Sequence, residues 1–293
     1  MKKNRRKQYD INQSPFYGLR SKKRLSKILF ISPKKLSELS NSKELYHEFE
    51  KSKKGTTKKR PISSPRTDLK KVQSRIAELL RRLQPPEYLF SPVKGRSYVD
   101  NARRHIGSSS IHLLDIENFY PKCKESKVYW FFNKKMKCSS DVSSILCKIV
   151  CYKGSLPQGS PSSPFLAYFA YMDMWNEVNA IANGCGCKIS LYVDDLTVSG
   201  LSVPGHMIWS LKKILKAHDH TINRKKEKCV FNRPVEITGA ILHSQKLSPP
   251  NRQLQKLYEA KKSLSEINQN SELGITLAAQ IKGRKVQISQ IMA

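Results

Sequence analysis

Residues 191–200 read LYVDDLTVSG, and the rest of the sequence is organised around this stretch. Apolar and β-prone residues flank two adjacent carboxylates, and a glycine closes the run. The pattern predicts a β-hairpin with Asp194 and Asp195 at or beside its turn. Because neighbouring carboxylates repel each other, a divalent cation is a natural way to stabilise them. An exposed turn without metal chemistry is the alternative interpretation.

A third carboxylate favours the metal hypothesis. Asp115 follows residues 111–114, an apolar run typical of a buried strand. Three carboxylates at strand ends can gather around two Mg²⁺ ions, with Mn²⁺ as a substitute. Such a pair of ions activates an attacking hydroxyl and neutralises a leaving pyrophosphate.

The composition indicates a polyanionic partner. The 293 residues include 54 Lys and Arg against 23 Asp and Glu, a formal net charge of +31. So large an excess of one sign favours nucleic acid as the partner, with an anionic membrane surface as the alternative. We find no spanning apolar segment and no signal-peptide pattern, so we expect a cytoplasmic protein without a membrane partner. The seven cysteines include no paired Cys-x2-Cys set, so we expect reduced thiols rather than a zinc site.

The loop at residues 156–164 reads LPQGSPSSP. Glycine and proline fix its shape and remove side chains where a ligand must approach closely. This loop, the YVDD sequence at 192–195 and the preceding Asp115 resemble, in order and spacing, the signatures of reverse transcriptases. The resemblance implies an α+β, right-hand polymerase fold with fingers, palm and helical thumb. It also implies RNA-directed DNA synthesis from deoxynucleoside triphosphates (dNTPs).

Two further elements are similar to signatures of retron reverse transcriptases, which copy part of a dedicated structured RNA. Residues 101–105 read NARRH, and residues 237–239 read ITG. The resemblance implies a cognate msr–msd RNA, and a branched RNA–DNA product (msDNA) started from a guanosine 2′-hydroxyl. It also implies anti-phage defence with a separate effector or toxin protein. The residues that it places against RNA or primer are Asn101, His105, Thr238 and Gly239. For His105, a satisfied structural histidine is the alternative.

The resemblance assigns the catalytic roles as well. Asp115, Asp194 and Asp195 hold the metal ions, together with the backbone carbonyl of Ile116. Lys226 protonates the leaving pyrophosphate. Plain surface charge is the alternative for Lys226, because Glu227 follows it where family members often have threonine.

Nucleotide contacts follow from the same resemblance. Tyr120, five residues after Asp115, lies under the sugar and excludes a ribose 2′-hydroxyl, whereas Phe119 and Tyr120 as core aromatics are the alternative. The nucleotide-binding residues that we expect are Arg60, Lys59, Phe119, Tyr120, Gln158 and Gly159. Which lysine of the preceding turn (Lys54, Lys58 or Lys59) faces the triphosphate stays open, and the turn contains a single glycine, Gly55.

The chain divides into four predicted parts. They are a basic N-terminal arm with short helices (1–44), fingers (45–110), a palm with a fingers insertion at about 124–155 (111–248) and a thumb (249–293). Residues 1–60 carry 19 Lys and Arg against 5 Asp and Glu, which suits an arm lying on phosphates or, alternatively, a solvated one. Helices are predicted over 69–83, over much of 126–153, as one long helix from Ser163, and over 208–218.

Three other functions remain as alternatives. The first is another small bacterial reverse transcriptase, of intron-derived or abortive-infection type, against which the NARRH and ITG elements argue. The second is a non-catalytic RNA-binding scaffold with a polymerase fold, against which three intact carboxylates argue. The third is an RNA-dependent RNA polymerase, against which Tyr120 argues.

Overall fold

The structure is a computed structural model that describes residues 8–42, 44–52, 59–243, 245–268 and 271–293. Within these ranges the fold mixes helices and sheets, as the predicted α+β class requires. The strands are β1 (Tyr46–Ser52), β2 (Lys59–Pro65), β3 (Leu89–Ser91), β4 (Ser110–Asp115), β5 (Lys188–Tyr192), β6 (Asp195–Gly200), β7 (Lys228–Phe231), β8 (Val235–Ile237), β9 (Ala240–His243) and β10 (Lys246–Ser248).

Helices cover most of the remaining described chain. They are α1 (Lys22–Ile28), α2 (Pro33–Asn41), α3 (Thr67–Leu80), α4 (Tyr98–Arg103), α5 (Phe119–Lys122), α6 (Glu125–Trp130), α7 (Ser140–Val150), α8 (Ser163–Phe169), α9 (Met172–Gly184), α10 (Gly205–Ala217), α11 (Asn251–Ser265) and α12 (Glu272–Met292). A 3₁₀ turn at Ile11–Gln13 and a π-helical turn at Phe131–Lys135 complete the set.

A five-stranded sheet positions the carboxylates. Its order is β3-β5-β6-β4-β7, with β3 parallel to β5 and the other pairs antiparallel. Side chains alternate between the two faces of a strand, so Ile111 and Leu114 of β4 point to opposite sides. Leu114 belongs to the main core, whereas Ile111 packs in a second cluster with Val99 and Ile237. Apolar packing on both faces therefore fixes the register of β4.

The start of the predicted fingers, residues 45–65, contains the β1–β2 hairpin. Its strands pair antiparallel from Tyr46 opposite Pro65 to Ser52 opposite Lys59. The predicted basic turn, with Lys54, Gly55 and Lys58, lies outside the described residues, as does the basic tail at residues 1–7.

One predicted element differs in the structure. The single helix expected from Ser163 is two helices, α8 and α9, which are separated at Tyr171. Tyr171 leaves the helical conformation (φ −120°, ψ 19°). Its hydroxyl donates to the carbonyl of Lys122 (3.0 Å) and accepts from the backbone N–H of Lys124 (3.1 Å). These tertiary hydrogen bonds attach the helix break at Tyr171 to the segment after β4. No local sequence pattern predicts them.

The C-terminal helices α11 and α12 pack against each other, and α12 also contacts β10. Helix α11 begins directly after the predicted boundary at residues 249–250, because proline favours the start of a helix. Arg252 of α11 forms an ion pair with Glu236 of β8. In the described ranges we find no helix with the length and apolar character that crossing a bilayer requires.

Candidate active site

The hairpin of β5 and β6 brings two of the three predicted carboxylates to the centre of the sheet. Tyr192 pairs with Asp195, so Val193 and Asp194 form a two-residue turn. Val193 has a φ of 59°, a conformation that β-branched residues rarely adopt. Asp195 lies opposite Asp115 in the β4–β6 register. Residues that pair directly across two strands project on the same face, so the structure brings these two carboxylates together.

Backbone hydrogen bonds hold this arrangement. The N–H of Ile116 donates to the carbonyl of Asp194 (3.0 Å), and the N–H of Asn223 donates to the carbonyl of Asp115 (2.8 Å). Three separate segments therefore meet at Asp115. A site carried on paired strands is held more rigidly than one on a free loop.

Lys226 supplies a positive charge at this point. Its ammonium lies 2.5 Å from a carboxylate oxygen of Asp115. The pKa of Asp194 is raised, chiefly by burial and also by the negative charge of Asp115, while Lys226 and Arg60 oppose the rise. Arg60 therefore acts on Asp194 electrostatically, although the two are far apart in sequence. The site is a half-buried cluster of opposite charges.

The donor set suits Mg²⁺ chemically, because carboxylate oxygens are the ligands that this ion prefers. The ammonium of Lys226 on Asp115 marks a position where a cation is already stabilised. No group of three His, Cys, Asp or Glu side chains stands ready as a metal cage among the described residues. The carboxylates are of the chemical type that binds this metal, and the ammonium of Lys226 would compete with a metal ion for Asp115. The carbonyl of Ile116, in a residue that is 1% exposed, stays a prediction as a ligand.

A cleft of about 400 Å³ opens beside the carboxylates. Its walls come from β4, β6, the segment before β7, and β8 with the turn that follows it. The residues around it are Leu113, Leu114, Asp115, Asp195, Leu196, Thr197, Lys225, Lys226, Lys228, Glu236, Ile237 and Thr238. A cleft that joins acidic and basic side chains suits a ligand carrying phosphates and a metal ion.

The predicted nucleotide loop packs against β2. The N–H of Ser63 donates to the carbonyl of Gln158 (2.9 Å). Gly159 has a φ of 127°, and a Cβ atom there would lie 2.9 Å from the carbonyl oxygen of Ser63. Only glycine permits this approach. The structure therefore holds the LPQG loop against β2, the strand that carries Arg60 and Lys59. The ammonium of Lys59 pairs with Glu50 across the hairpin (3.0 Å).

The two aromatic residues after β4 differ in their surroundings. Tyr120 is partly exposed, and its pKa is raised by burial and by the charge of Asp194. Phe119 is only 4% exposed and packs on His220, with ring centroids 5.4 Å apart. The direct nucleotide contact predicted for Phe119 is therefore corrected, because its ring belongs to the core behind Tyr120.

The predicted primer-contacting residues form an internal network. Asn101 is 0% exposed, and its amide donates to the hydroxyl of Thr238 (3.2 Å), which donates to the carbonyl of Tyr98 (3.1 Å). Thr238 and Gly239 both have positive φ and form the turn between β8 and β9. Asn101 is therefore corrected from a direct RNA contact to a support for this turn, while Thr238 lines the cleft.

His105 is likewise corrected from an RNA contact to a structural residue. It is 0% exposed, and its two ring nitrogens lie 2.7 Å from the hydroxyls of Ser199 and Ser190. Burial, with the nearby positive charges of Lys188 and Arg104, lowers its pKa to about 3. His105 therefore joins α4 to β5 and β6 as a neutral ring.

Two clusters near the site escaped the sequence reasoning. Glu227 accepts from the ammonium of Lys212 (2.6 Å) and lies 2.7 Å from a ring nitrogen of His112. These contacts fix Glu227 in place directly after Lys226. The family pattern often has threonine at this position, so the sequence alone offered no reason to expect them. The other cluster centres on Gln73, a polar residue on the apolar stripe of α3. A polar residue at a core position is the signal that could have identified it.

Comparison with known proteins assigns the family. The family described as "Reverse transcriptase (RNA-dependent DNA polymerase)" matches residues 51–242. The chain is similar to the retron Ec86 reverse transcriptase of Escherichia coli, with 32% identity over 209 residues, 67% of this chain and 62% of that protein. It is also 31% identical over 190 residues to the retron Se72 reverse transcriptase of Salmonella heidelberg (strain 579083-10), covering 64% of this chain and 49% of that protein.

The chain thus spans less than two thirds of the length of these two relatives. The family match itself includes strand β2 of the hairpin, all three carboxylates, Lys226 and the ITG turn. From the match and the site geometry together, we conclude that the chain belongs to the reverse transcriptase family and is of the retron type.

Proposed function

We propose that this chain is an RNA-directed DNA polymerase that copies part of a cognate structured RNA into single-stranded DNA. The observation that carries the proposal is the register pairing of Asp115 with Asp195, beside Asp194 and next to the ammonium of Lys226. A cluster of carboxylates with an ammonium paired to one of them, in an open cleft, suits phosphoryl transfer. The net charge of +31 supports a nucleic acid as the substrate.

In the proposed reaction a primer hydroxyl attacks the α-phosphate of a dNTP, and pyrophosphate leaves. Asp115, Asp194 and Asp195, with the carbonyl of Ile116, would hold two Mg²⁺ or Mn²⁺ ions, which supply charge neutralisation at the attacking and leaving oxygens. Lys226 gives a proton to the leaving pyrophosphate, and its contact with Asp115 holds the ammonium in place.

Selection of the nucleotide falls to the elements around the carboxylates. Arg60 and Lys59 on β2 contact the triphosphate, and Gln158 and Gly159 contact the sugar or base. Tyr120, whose pKa the charge of Asp194 helps to raise, excludes a ribose 2′-hydroxyl, so DNA is made rather than RNA. The close packing of β2 on Gln158 supports this assignment, because it holds both sets of contacts in one body.

The proposed domains follow the chain order. Residues 1–44 form a basic arm on phosphates, 45–110 the fingers, 111–248 the palm with a fingers insertion at about 124–155, and 249–293 the thumb. The turn at Thr238 and Gly239 grips the primer end, and its support on Asn101 favours a rigid grip. The ion pair between Arg252 and Glu236 links this grip to the thumb.

The finer proposal is that of a complete retron. Synthesis begins from a guanosine 2′-hydroxyl of an msr–msd RNA and leaves a branched msDNA on the enzyme. A separate effector or toxin protein then acts in defence against phage. This proposal rests on the similarity to retron reverse transcriptases and on the NARRH and ITG elements.

The experiment examines nucleic acid that co-purifies with the protein from its native host. It compares the wild type with the double variant Asp194→Asn/Asp195→Asn, after RNase and then a debranching enzyme. A discrete single-stranded DNA that the variant lacks and that debranching shifts supports the full proposal. A discrete DNA that debranching leaves unchanged supports the polymerase and contradicts the branched product.

If neither sample holds DNA, the purified wild type is tested on primed RNA with dNTPs and, separately, with ribonucleotides. Extension with dNTPs that the double variant lacks supports the polymerase, whereas equal use of ribonucleotides contradicts the role of Tyr120. No extension with either nucleotide contradicts the proposed function and favours the scaffold.

A further inference from the structure

Gln73 is a fully buried amide within the apolar stripe of α3. It is 0% exposed, and Leu69 and Ile76 flank it on the same helix face, each 0% exposed as well. A buried amide without partners is strongly unfavourable, so its partners indicate why it is tolerated there.

The partners of Gln73 belong to three different segments. Its amide nitrogen donates to the hydroxyl of Tyr46 in β1 (2.8 Å) and to the carbonyl of Ile149 in α7 (2.8 Å). Its amide oxygen accepts from the hydroxyl of Ser160 in the LPQG loop (2.7 Å). Both amide hydrogens are used, so the orientation of the side chain is fixed.

The network extends from Ser160 to the start of α8. The Ser160 hydroxyl lies 3.0 Å from that of Ser162 and accepts the N–H of Ser162 (3.3 Å). Both serines are 5% exposed or less. Buried, fully partnered networks specify one arrangement, because any shift leaves a polar group without a partner.

The hairpin and the loop are also joined directly, at Gln158 and Gly159. The Ser63 N–H donates to the Gln158 carbonyl, and Gly159 lies against Ser63 too closely for any side chain. The β1–β2 hairpin thus touches the loop through Ser63 on one strand and through Tyr46, by way of Gln73, on the other. Two separated attachments prevent rotation about either one.

We propose that Gln73 is a positioning residue that fixes Arg60 on the hairpin relative to Gln158 on the loop, and so determines the affinity for the incoming nucleotide. This inference rests on the proposed function, in which both residues contact a dNTP. Gln73 itself, being fully buried, touches no substrate. Its loss therefore weakens nucleotide binding more than it slows the chemical step.

The test measures steady-state kinetics of primed-RNA extension for wild type, Gln73→Leu and Ser160→Ala. For Gln73→Leu we expect the KM for dNTP to rise about tenfold, as the loss of two or three hydrogen bonds predicts, while kcat changes less than about twofold. The KM for primed RNA stays unchanged. Adding Ser160→Ala to Gln73→Leu gives no further rise, because both variants break the same link.

Ser143→Ala is the matched control. Ser143 is also 0% exposed, but its hydroxyl donates only to the carbonyl of Ser139, at the start of its own helix (2.8 Å). The proposal would be overturned if Gln73→Leu and Ser143→Ala lost the same thermal stability and Gln73→Leu kept the wild-type KM for dNTP.

A measurement without catalysis separates this inference from the proposed function. In hydrogen exchange, peptides that cover Lys59–Pro65 exchange faster in Gln73→Leu than in Ser143→Ala if Gln73 holds the hairpin. Equal exchange in the two variants overturns the link even if the enzyme is active. A wild type that does not polymerise, with faster exchange in Gln73→Leu, contradicts the proposed function and leaves the link supported.

Discussion

The ammonium of Lys226 lies 2.5 Å from a carboxylate oxygen of Asp115, although the two residues belong to different segments. The contact neutralises one carboxylate of the cluster and holds the proposed proton donor beside it. Lys226 therefore has two effects on the site, one on the metal affinity and one on the leaving group, and they can be measured separately.

We predict that Lys226→Met lowers kcat by about 10²-fold or more, the usual contribution of a general acid. The variant should nevertheless bind Mn²⁺ several-fold more tightly, because the competing cation on Asp115 is gone. Kinetics and a Mn²⁺ titration followed by electron paramagnetic resonance measure the two effects. Lys225→Met removes the same charge without the contact and should lose less activity. A fall in both kcat and Mn²⁺ affinity would contradict the competition between ammonium and metal.

We predict that Gly159→Ala destabilises the protein by about 1–3 kcal/mol, because its Cβ atom would lie 2.9 Å from the Ser63 carbonyl oxygen. Nucleotide affinity should fall as well, since the hairpin must move away. Gly154→Ala is the control, because Gly154 also has positive φ (77°) but a Cβ atom there meets nothing within 4 Å. Chemical denaturation and the KM for dNTP provide the comparison. Equal effects of the two variants would show backbone strain alone.

We predict that His105 makes the protein sensitive to acid. Its pKa is about 3 in the folded protein, whereas the ordinary value is 6.5. Between pH 6.5 and 3, His105 is therefore protonated in the unfolded chain but neutral in the folded one. Stability from this residue is complete above pH 6.5 and is lost as pH falls towards 3. His105→Gln should be less stable at neutral pH and show a flatter decline over this window, in denaturant unfolding at several pH values.

Part of the acid sensitivity should persist in His105→Gln. Burial lowers the pKa of His220 to about 4, so that residue contributes over most of the same window. If the decline with pH is as steep in His105→Gln as in wild type, the buried neutral ring of His105 is not its source.

We predict that Asp194→Asn abolishes polymerisation yet raises the melting temperature at pH 7 by a few degrees. Burial and the charge of Asp115 raise the pKa of Asp194, so its ionised form opposes folding. The Asn variant should therefore be more stable by the full amount above the raised pKa that Asp194 has in the folded protein. The gain should vanish as pH falls below 3.8, the ordinary pKa, where the carboxyl is protonated in both states. Calorimetry at pH 7 and pH 3.5 measures it. A variant less stable than wild type at pH 7 would contradict the claim that the ionised Asp194 carboxylate opposes folding.

Local pattern predicted much of the fold. The stripe at 69–83 produced α3, and the alternation around the DD pair produced the β5–β6 hairpin. The short helices expected in the N-terminal arm also appeared, as α1 and α2, with the hydroxyl of Ser32 capping α2. These features depend on residues near one another in sequence. The break at Tyr171 was missed because its hydrogen bonds reach about 50 residues back along the chain, to Lys122 and Lys124.

Motif similarity pointed to candidate site residues but did not indicate which of them are buried. Asn101, His105 and Phe119 were expected at the ligand, and all three are buried side chains. Of the three, Asn101 supports a residue that lines the cleft, Thr238. A motif marks a position that matters, and does not distinguish touching a ligand from holding a residue that touches it. The contacts of Gln73 and Glu227 were not predicted, because their partners come from other segments of the chain.

The sequence by itself determined the family, the carboxylates, the basic charge and the nearby secondary structure, because these follow from residue type and spacing. Only the tertiary structure decided which charged groups meet, as Lys226 meets Asp115, and how the hairpin is fixed to the nucleotide loop. Such contacts depend on the register of paired strands and the packing of distant helices. Their geometry is a property of the whole fold, and no window of sequence contains it.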